Sequence, residues 1–474
     1  MTHGLKPYRD YKDTGEPSFS RIPSQWDIQR NGRLFEQRIE NGFAELPILE
    51  VSLRTGVRVR DMENGTRKQV MSDRAKYKRA VAGDIAYNMM RMWQGAVGVV
   101  PQDGLISPAY VVARPHAGTE TRYFSYLYRT DAYKAEIDAF SRGIVKDRNR
   151  LYWEDFKRMP VCVPPTDEQR EIGAFLDAHA AKVRRFIRNR RRLIDVLNEQ
   201  KQAIIDEAVT RGVNPDVEYK PSDFEECGDI PAHWTIRRLR NVAELRVSNV
   251  DKHTKADEQP VRLCNYTDVY KNSVITAGMP FMMATATSSE IDAFRLNVGD
   301  VIITKDSEDW QDIGVPAVVA EAAEDLVCGY HLAILRPLPG TIVGPFLAYA
   351  LRSRFVVTQF SIAANGVTRY GLSHGAIKAT ALALPPIDEQ EHIVRHIDQS
   401  TATINTALNR IWREIDLIQE YRTRLVADVV TGKIDVRGLA PAELDSSEEP
   451  LDDVFDEGGL EDAEDELVEE SASE

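Results

Sequence analysis

The chain has 474 residues, 43% of them apolar and 28% charged, which at about 100 to 200 residues per domain is enough for two to four domains with their own cores. No run approaches the ~20 apolar residues of a membrane span, and Met1-Thr2-His3-Gly4-Leu5-Lys6 begins no apolar signal segment, so a cytoplasmic protein with no membrane partner is expected. The net charge of -14 would argue against a polyanionic partner if it were evenly spread. Sixteen of the 74 acidic residues, however, lie between Ala442 and Glu474 with no Lys or Arg among them, which leaves 58 acidic against all 60 basic residues before that stretch.

In chain order, an N-terminal segment of residues 1–21 leads into a first domain over 22–160. It opens with Ile22-Pro23-Ser24-Gln25-Trp26 and continues in short apolar runs broken by Gly and Pro. Gly83-Asp84 precedes a strand at Ile85–Asn88, Ala109–Pro115 reads as a second strand, and a helical stretch runs near Tyr123–Phe140. Val163-Pro164-Pro165-Thr166-Asp167-Glu168-Gln169 then leads into a long helix over 161–212, with Thr166 and Gln169 spaced as a capping box. After a linker at 213–229 the plan repeats. Ile230-Pro231-Ala232-His233-Trp234 opens a second domain over 230–381, Gly299-Asp300 precedes Val301–Thr304, and His331–Pro337 and Pro345–Phe360 follow as strand and helix. Leu384-Pro385-Pro386-Ile387-Asp388-Glu389-Gln390 leads into a second long helix over 382–434, and residues 435–474 form an acidic tail too poor in apolar surface to fold. So long a period makes each copy a domain rather than one unit of a solenoid.

The long helices carry apolar residues at alternating spacings of four and three: Ile172, Leu176, Val183, Phe186, Leu193, Leu197 and Ile204 in the first, Ile393, Ile397, Ile404, Ile411, Ile418 and Leu425 in the second. This is a coiled-coil seam. His179, Arg190, Gln200, Ser400 and Glu414 interrupt it, and Arg190 and Glu414 are candidates to set the alignment. A duplicated unit pairs most naturally about a pseudo-two-fold axis, which predicts an antiparallel coiled coil between two mixed α/β domains.

Catalytic motifs are absent: there is no G-x-G-x-x-G, P-loop, G-x-S-x-G or H-E-x-x-H, and no Asn-Pro-Pro-Tyr. Cys162, Cys227, Cys264 and Cys328 are too scattered for a zinc ribbon or a disulfide framework, and His392 and His396 lack the Glu of a zinc protease between them, so no metal is expected. Basic, amide and aromatic residues are more informative. In the first domain they are Lys68, Arg74, Lys76, Lys78, Asn88, Arg91, Trp93, Gln94, Lys146, Arg148 and Arg150; in the second, Asn265, Tyr266, Lys305, Trp310, Gln311, Arg369 and Tyr370. Such residues neutralise phosphates and reach base edges, and their duplication favours binding to DNA over a merely solvated surface. We expect Lys76, Lys78, Arg91, Arg148 and Arg369 nearer phosphates and Asn88, Gln94, Gln311 and Tyr370 nearer bases.

Twin Ile-Pro-x-x-Trp and Pro-Pro-x-Asp-Glu-Gln elements, the Gly-Asp turns, and Val209-Thr210-Arg211-Gly212 against Val430-Thr431-Gly432 strongly resemble the specificity subunit of type I restriction-modification systems over residues 11–438. The resemblance implies two target recognition domains, each reading one half of an asymmetric bipartite double-stranded DNA target, with the helices as the ruler between them. It implies a subunit that is not itself an enzyme and binds no cofactor. Two methyltransferase (modification) subunits would bring S-adenosylmethionine, and restriction/translocase subunits would bring ATP and Mg2+. The competing readings are a standalone DNA methyltransferase or nuclease, and a coiled-coil scaffold without DNA specificity.

Overall fold

The computed structural model describes residues 5–60, 74–143 and 149–439. Two compact units emerge, one from residues 1–191 with 412–474 and the other from residues 192–411. The division runs through the two long helices, Thr166–Arg211 and Ile387–Val430, whereas the sequence pattern places boundaries at their ends. Each unit therefore holds one α/β head and a part of both helices.

The first head is built on an antiparallel sheet in the order Phe35–Gln37, Tyr110–Pro115, Ile85–Asn88, Val97–Val99. Ile85–Asn88 is buried at all four positions, so it reads as a continuous run rather than an alternation. The helices Thr121–Tyr128 and Asp131–Phe140 contribute Tyr123, Phe124, Leu127, Tyr128 and Tyr133 to one core with Phe35 and Phe156. The second head repeats the sheet as Ala243–Val247, Leu332–Pro337, Val301–Thr304 and Pro316–Val319, with Val274–Ile275 added in parallel at the edge. It adds a second sheet of Met282–Ala286, Gln259–Cys264 and Leu326–Cys328, and carries helices Gly344–Arg352 and Arg354–Ala363.

The Gly-Asp turns have a shared physical role. Asp84, 2% exposed, accepts from Arg38 Nε at 2.7 Å and from the Val81 amide at 2.9 Å. Asp300, 1% exposed, accepts from Arg336 Nε at 2.8 Å and Nη2 at 2.7 Å and from the Asn297 amide at 2.8 Å. Each buried carboxylate is thus paired and hydrogen-bonded, as burial of a charge requires, and ties the turn to a neighbouring strand.

The Pro-Pro-x-Asp-Glu-Gln elements dock the heads. Gln169 does not close a capping box: its Nε2 donates to the Pro164 carbonyl and its Oε1 accepts from the Glu120 amide at 3.0 Å. The helix begins at Thr166 itself, whose hydroxyl donates to the Gly118 carbonyl. Gln390 repeats the clamp on the Pro385 and Thr341 carbonyls and the Val343 amide. In both copies a tyrosine hydroxyl of the head, Tyr126 or Tyr349, donates to an aspartate of the following helix, Asp177 or Asp398. The far end of the other helix completes each unit. Tyr123 Oη donates to the Val430 carbonyl at 3.0 Å in the first, and Gln202 Nε2 donates to the Arg352 carbonyl at 2.8 Å in the second. Both long helices terminate in a glycine with positive φ, Gly212 at +75° and Gly432 at +77°. A Cβ there would stand 3.2 Å from the ring of Trp234 and of Trp26 respectively, so the glycine both stops the helix and admits the indole.

Within the first unit the His179 ring lies 5.5 Å from that of Tyr421, and Arg190 Nε lies 3.0 Å from Glu414 Oε2. Within the second, Lys201 Nζ donates to Asn405 at 2.8 Å and Gly212 lies beside Glu389. Numbers rise on one helix as they fall on the other, so the paired segments in each unit are antiparallel. On the second helix Ile393, Ile397, Ile404, Ile411 and Leu425 are buried and Ile418 is half-buried. On the first, Ile172, Leu176 and Val183 are buried and Leu197 is half-buried, but the expected register then fails. Phe186, Leu193 and Ile204 yield the buried places to Ile187, Ile194 and Ile205, and Leu193 is 39% exposed. Ile172, Val183, Ile194 and Ile205 recur every 11 residues, or about 3.67 per turn, close to the relaxed helix; a heptad stripe drifts about 20° per repeat from it and is soon a residue out.

Arg190 and Glu414, 35% and 28% exposed, form an ion pair between the two helices. Removing either charge is expected to cost about 1 kcal/mol, and replacing both with Leu to recover part of it. A double-mutant cycle of thermal melts showing no coupling would deny the pair a role in alignment.

Candidate nucleic-acid interface

In the second unit the structure gathers the sequence-derived candidates on one face. Asp306–Ser307 pairs with Tyr370–Gly371, which pairs in turn with Asn365–Gly366, so the Lys305–Gln311 segment lies against a hairpin with Val367-Thr368-Arg369 at its tip. Gly366 is required there, because a Cβ would fall 1.9 Å from the Arg369 carbonyl oxygen. Asn265 caps the helix Tyr266–Lys271 in a capping box with Asp268, and Tyr266 stacks on Tyr270 with ring centroids 5.5 Å apart and planes at 14°. The Tyr266 hydroxyl is hydrogen-bonded to Ser307, which joins this helix to the hairpin, and burial pushes its pKa up. Trp310 is 43% exposed, and Gln311 and Arg369 are exposed.

Lys305 is held differently. Its Nζ pairs with Asp306 at 2.9 Å, and Asp306 also meets His331 Nδ1 at 2.8 Å. Burial alone would raise the Asp306 pKa, but hydrogen bonds from His331 and Lys305 outweigh it and hold the carboxyl below its ordinary range. Lys305 therefore buttresses the face, with less of its charge presented outward.

In the first unit Asn88, Arg91, Trp93 and Gln94 share one loop, and the Leu151 amide bonds the Met89 carbonyl at 2.9 Å, which brings Arg150 beside it. Two expectations need correction. Lys78 donates to the Pro108 and Tyr110 carbonyls at 2.6 and 2.7 Å, and burial lowers its pKa, so its ammonium is committed to the fold rather than to a phosphate. Asn88 is 4% exposed and its Oδ1 accepts from the Met90 amide at 2.9 Å, an Asx-type turn that leaves it no reach to a base. Trp93 is half-buried with its indole donating to the Met90 carbonyl, and only Gln94 of this loop stands fully exposed. Arg74 is exposed and donates to the Leu46 carbonyl at 2.7 Å; Lys76 is exposed beside it. Lys68, Lys146 and Arg148 lie outside the described residues.

Sequence reasoning overlooked Tyr270, signalled by its spacing of four from Tyr266 on a helix. It also overlooked Arg129 and Arg352, which occupy equivalent places in the two heads. Both are half-buried without a carboxylate and donate to backbone carbonyls, of Leu53, Arg54 and Val97 for one and of Pro316 and Ser273 for the other. Burial lowers the pKa of each. Among the described residues no group of His, Cys, Asp and Glu could hold a metal, the four cysteines are buried and free, and no helix is long and apolar enough to cross a membrane.

Comparison with known proteins bears on what these faces belong to. Residues 231–415 match the family model described as type I restriction modification DNA specificity domain. The type I restriction enzyme EcoKI specificity subunit of Escherichia coli is 21% identical over 335 residues, 68% of this chain and 68% of its own. The MjaVIII specificity subunit of Methanocaldococcus jannaschii is 20% identical over 293 residues, 60% of this chain and 64% of its own. A further specificity subunit from that organism, MjaX, is 22% identical over 216 residues, 45% of this chain and 49% of its own. The chain thus spans about half to two thirds of the length of the curated relatives it matches. A chain from structural work on complex assembly and conformational transition of the type I R-M system shares the fold, with a TM-score of 0.60 at 16% identity over 86% of this chain and 98% of that one. Residues 231–415 thus match the type I restriction modification DNA specificity domain, and the chain is similar to the specificity subunits of type I restriction-modification systems.

Proposed function

We propose that this chain is the non-catalytic DNA-recognition subunit of a cytoplasmic type I restriction-modification complex. Each head reads one half of a bipartite double-stranded target, the first with the 74–76 and 91–94 segments and Arg150, the second with the face around Trp310, Gln311, Arg369 and Tyr370. Because the heads carry different residues at these places, the two half-sites differ and the target is asymmetric. The paired helices form the antiparallel coiled coil that acts as the ruler between half-sites, and the complex includes two methyltransferase subunits and restriction/translocase subunits. S-adenosylmethionine, ATP and Mg2+ act in those partners. This chain's residues recognise, orient and hold the duplex.

The observation that carries the reading is the duplicated clamp. Each head is seated by the Gln of the helix that follows it, Gln169 or Gln390, and by the glycine-terminated end of the other helix against its Trp. Such a frame presents two different surfaces in equivalent ways, which is what a two-part target demands.

Co-expression with the system's modification subunit, followed by reading of methylated positions across the host genome, tests it. The expected result is one asymmetric motif in two fixed parts separated by unspecified bases. Methylation by the purified chain alone, or cleavage of plasmid by it with Mg2+, would refute the non-catalytic role.

A further inference from the structure

The hairpin face of the second unit carries a charge pattern that bears on which base pair it reads, an inference that rests on the DNA-recognition role just proposed. Ser307 pairs with Tyr370 in antiparallel register, so continuation of that register by one residue sets Glu308 opposite Arg369. Both side chains are exposed, and the Tyr266 hydroxyl feels the charge of both. Opposite charges at facing positions normally close into an ion pair. Among the described residues neither forms one, while the neighbouring acids are committed: Asp306 to Lys305 and His331, Asp309 to the Gln311 amide, Asp312 to the Tyr270 hydroxyl.

A free carboxylate on a DNA-facing surface repels phosphates, and so opposes affinity unless a base supplies it with a donor. In the major groove cytosine offers its N4 amino group to a carboxylate, while guanine offers O6 and N7 to the fork of an arginine. Glu308 and Arg369 side by side present that complement, an acceptor next to a two-pronged donor. Trp310 at 43% and Val367 at 89% exposure, each two residues away along the chain, add exposed apolar surface.

We propose that Glu308 is a specificity-determining residue that accepts from the amino group of a cytosine while Arg369 reads the paired guanine, fixing one G·C pair in the half-site of the second head. Arg369 is thereby reassigned from phosphate to base.

The test uses the full chain assembled with its modification subunits, with the expression host's genomic DNA as the probe. The wild-type motif is expected to be bipartite and to contain an invariant G·C pair that Glu308→Ala loosens by about 10-fold, all other positions keeping their preference. Glu308→Gln adds a donor beside its acceptor, as the N6 and N7 of adenine require, and is expected to admit A·T at that same pair. A wild-type motif without two fixed parts would overturn the parent reading. A bipartite motif that lacks an invariant G·C pair or that both variants leave unaltered overturns the role of Glu308 alone, and so does loss of methylation at every site in both variants.

Discussion

Asp300→Ala is expected to destabilise the second unit by about 3 kcal/mol, because the substitution leaves the Arg336 guanidinium largely enclosed without its carboxylate and the Asn297 amide without its acceptor. Arg336 is held above its ordinary pKa chiefly by the hydrogen bond to Asp300; that upward shift is lost with Asp300, but a guanidinium is basic enough to stay charged without it. Asp84→Ala in the first unit is expected to cost less, because Arg38, only 9% exposed, keeps its ion pair with Glu40. The double replacement Asp300→Ala with Arg336→Met removes both charges and is expected to recover a large part of the loss. Urea unfolding of the full chain measures all of these. A shift under about 1 kcal/mol for Asp300→Ala would mean that the turn, rather than the charge pair, holds the strand in place.

The second large effect concerns the two tryptophans, both fully buried. Trp26→Ala and Trp234→Ala are each expected to cost about 3–5 kcal/mol through the cavity left behind. Their Phe variants should differ from one another. Trp26 Nε1 donates to Glu168 Oε1 at 2.8 Å, and Tyr8 Oη donates to the same oxygen at 2.6 Å, whereas Trp234 Nε1 has no partner among the described residues and Glu389 bonds His233 instead. Trp26→Phe deprives a buried carboxylate of a donor and is expected to cost about 1–3 kcal/mol more than Trp234→Phe, whose indole N–H had nothing to lose. Equal costs in denaturant titrations would show that the Glu168 hydrogen bond contributes no more than packing.

The long helices, the twin Gly-Asp turns and the twin tryptophans were legible because each rests on local chemistry: a periodic apolar stripe, a turn residue before a strand, a bulky ring in a fixed setting. The face assignments along the first helix were less legible. Leu193 and Ile194 are adjacent and both apolar, and only the relaxed pitch of the helix decides that Ile194 goes inward. The fate of polar side chains was least legible. Lys78 and Asn88 have the chemistry of a nucleic-acid contact, yet one is captured by the Pro108 and Tyr110 carbonyls and the other by its own turn, through neighbours that no spacing rule exposes. Gln169 illustrates the converse: a residue placed for a helix cap is taken by a backbone amide 49 positions away.

The first unit draws Leu425, Val429, Val430 and Val436 into the same core as Ile22 and Trp26, while the second unit is one uninterrupted stretch of chain. On the ribosome this inverts the usual order, in which the earlier-made portion matures first. The later stretch holds all of its partners as soon as Ile411 has emerged. The earlier one must wait, partly open, for the last helix to be delivered across a closure of some four hundred residues, whose entropic cost grows only logarithmically. Nascent chains arrested with Ile411 just emerged from the ribosome should therefore show a protease-resistant fragment from the middle of the polypeptide and a susceptible beginning.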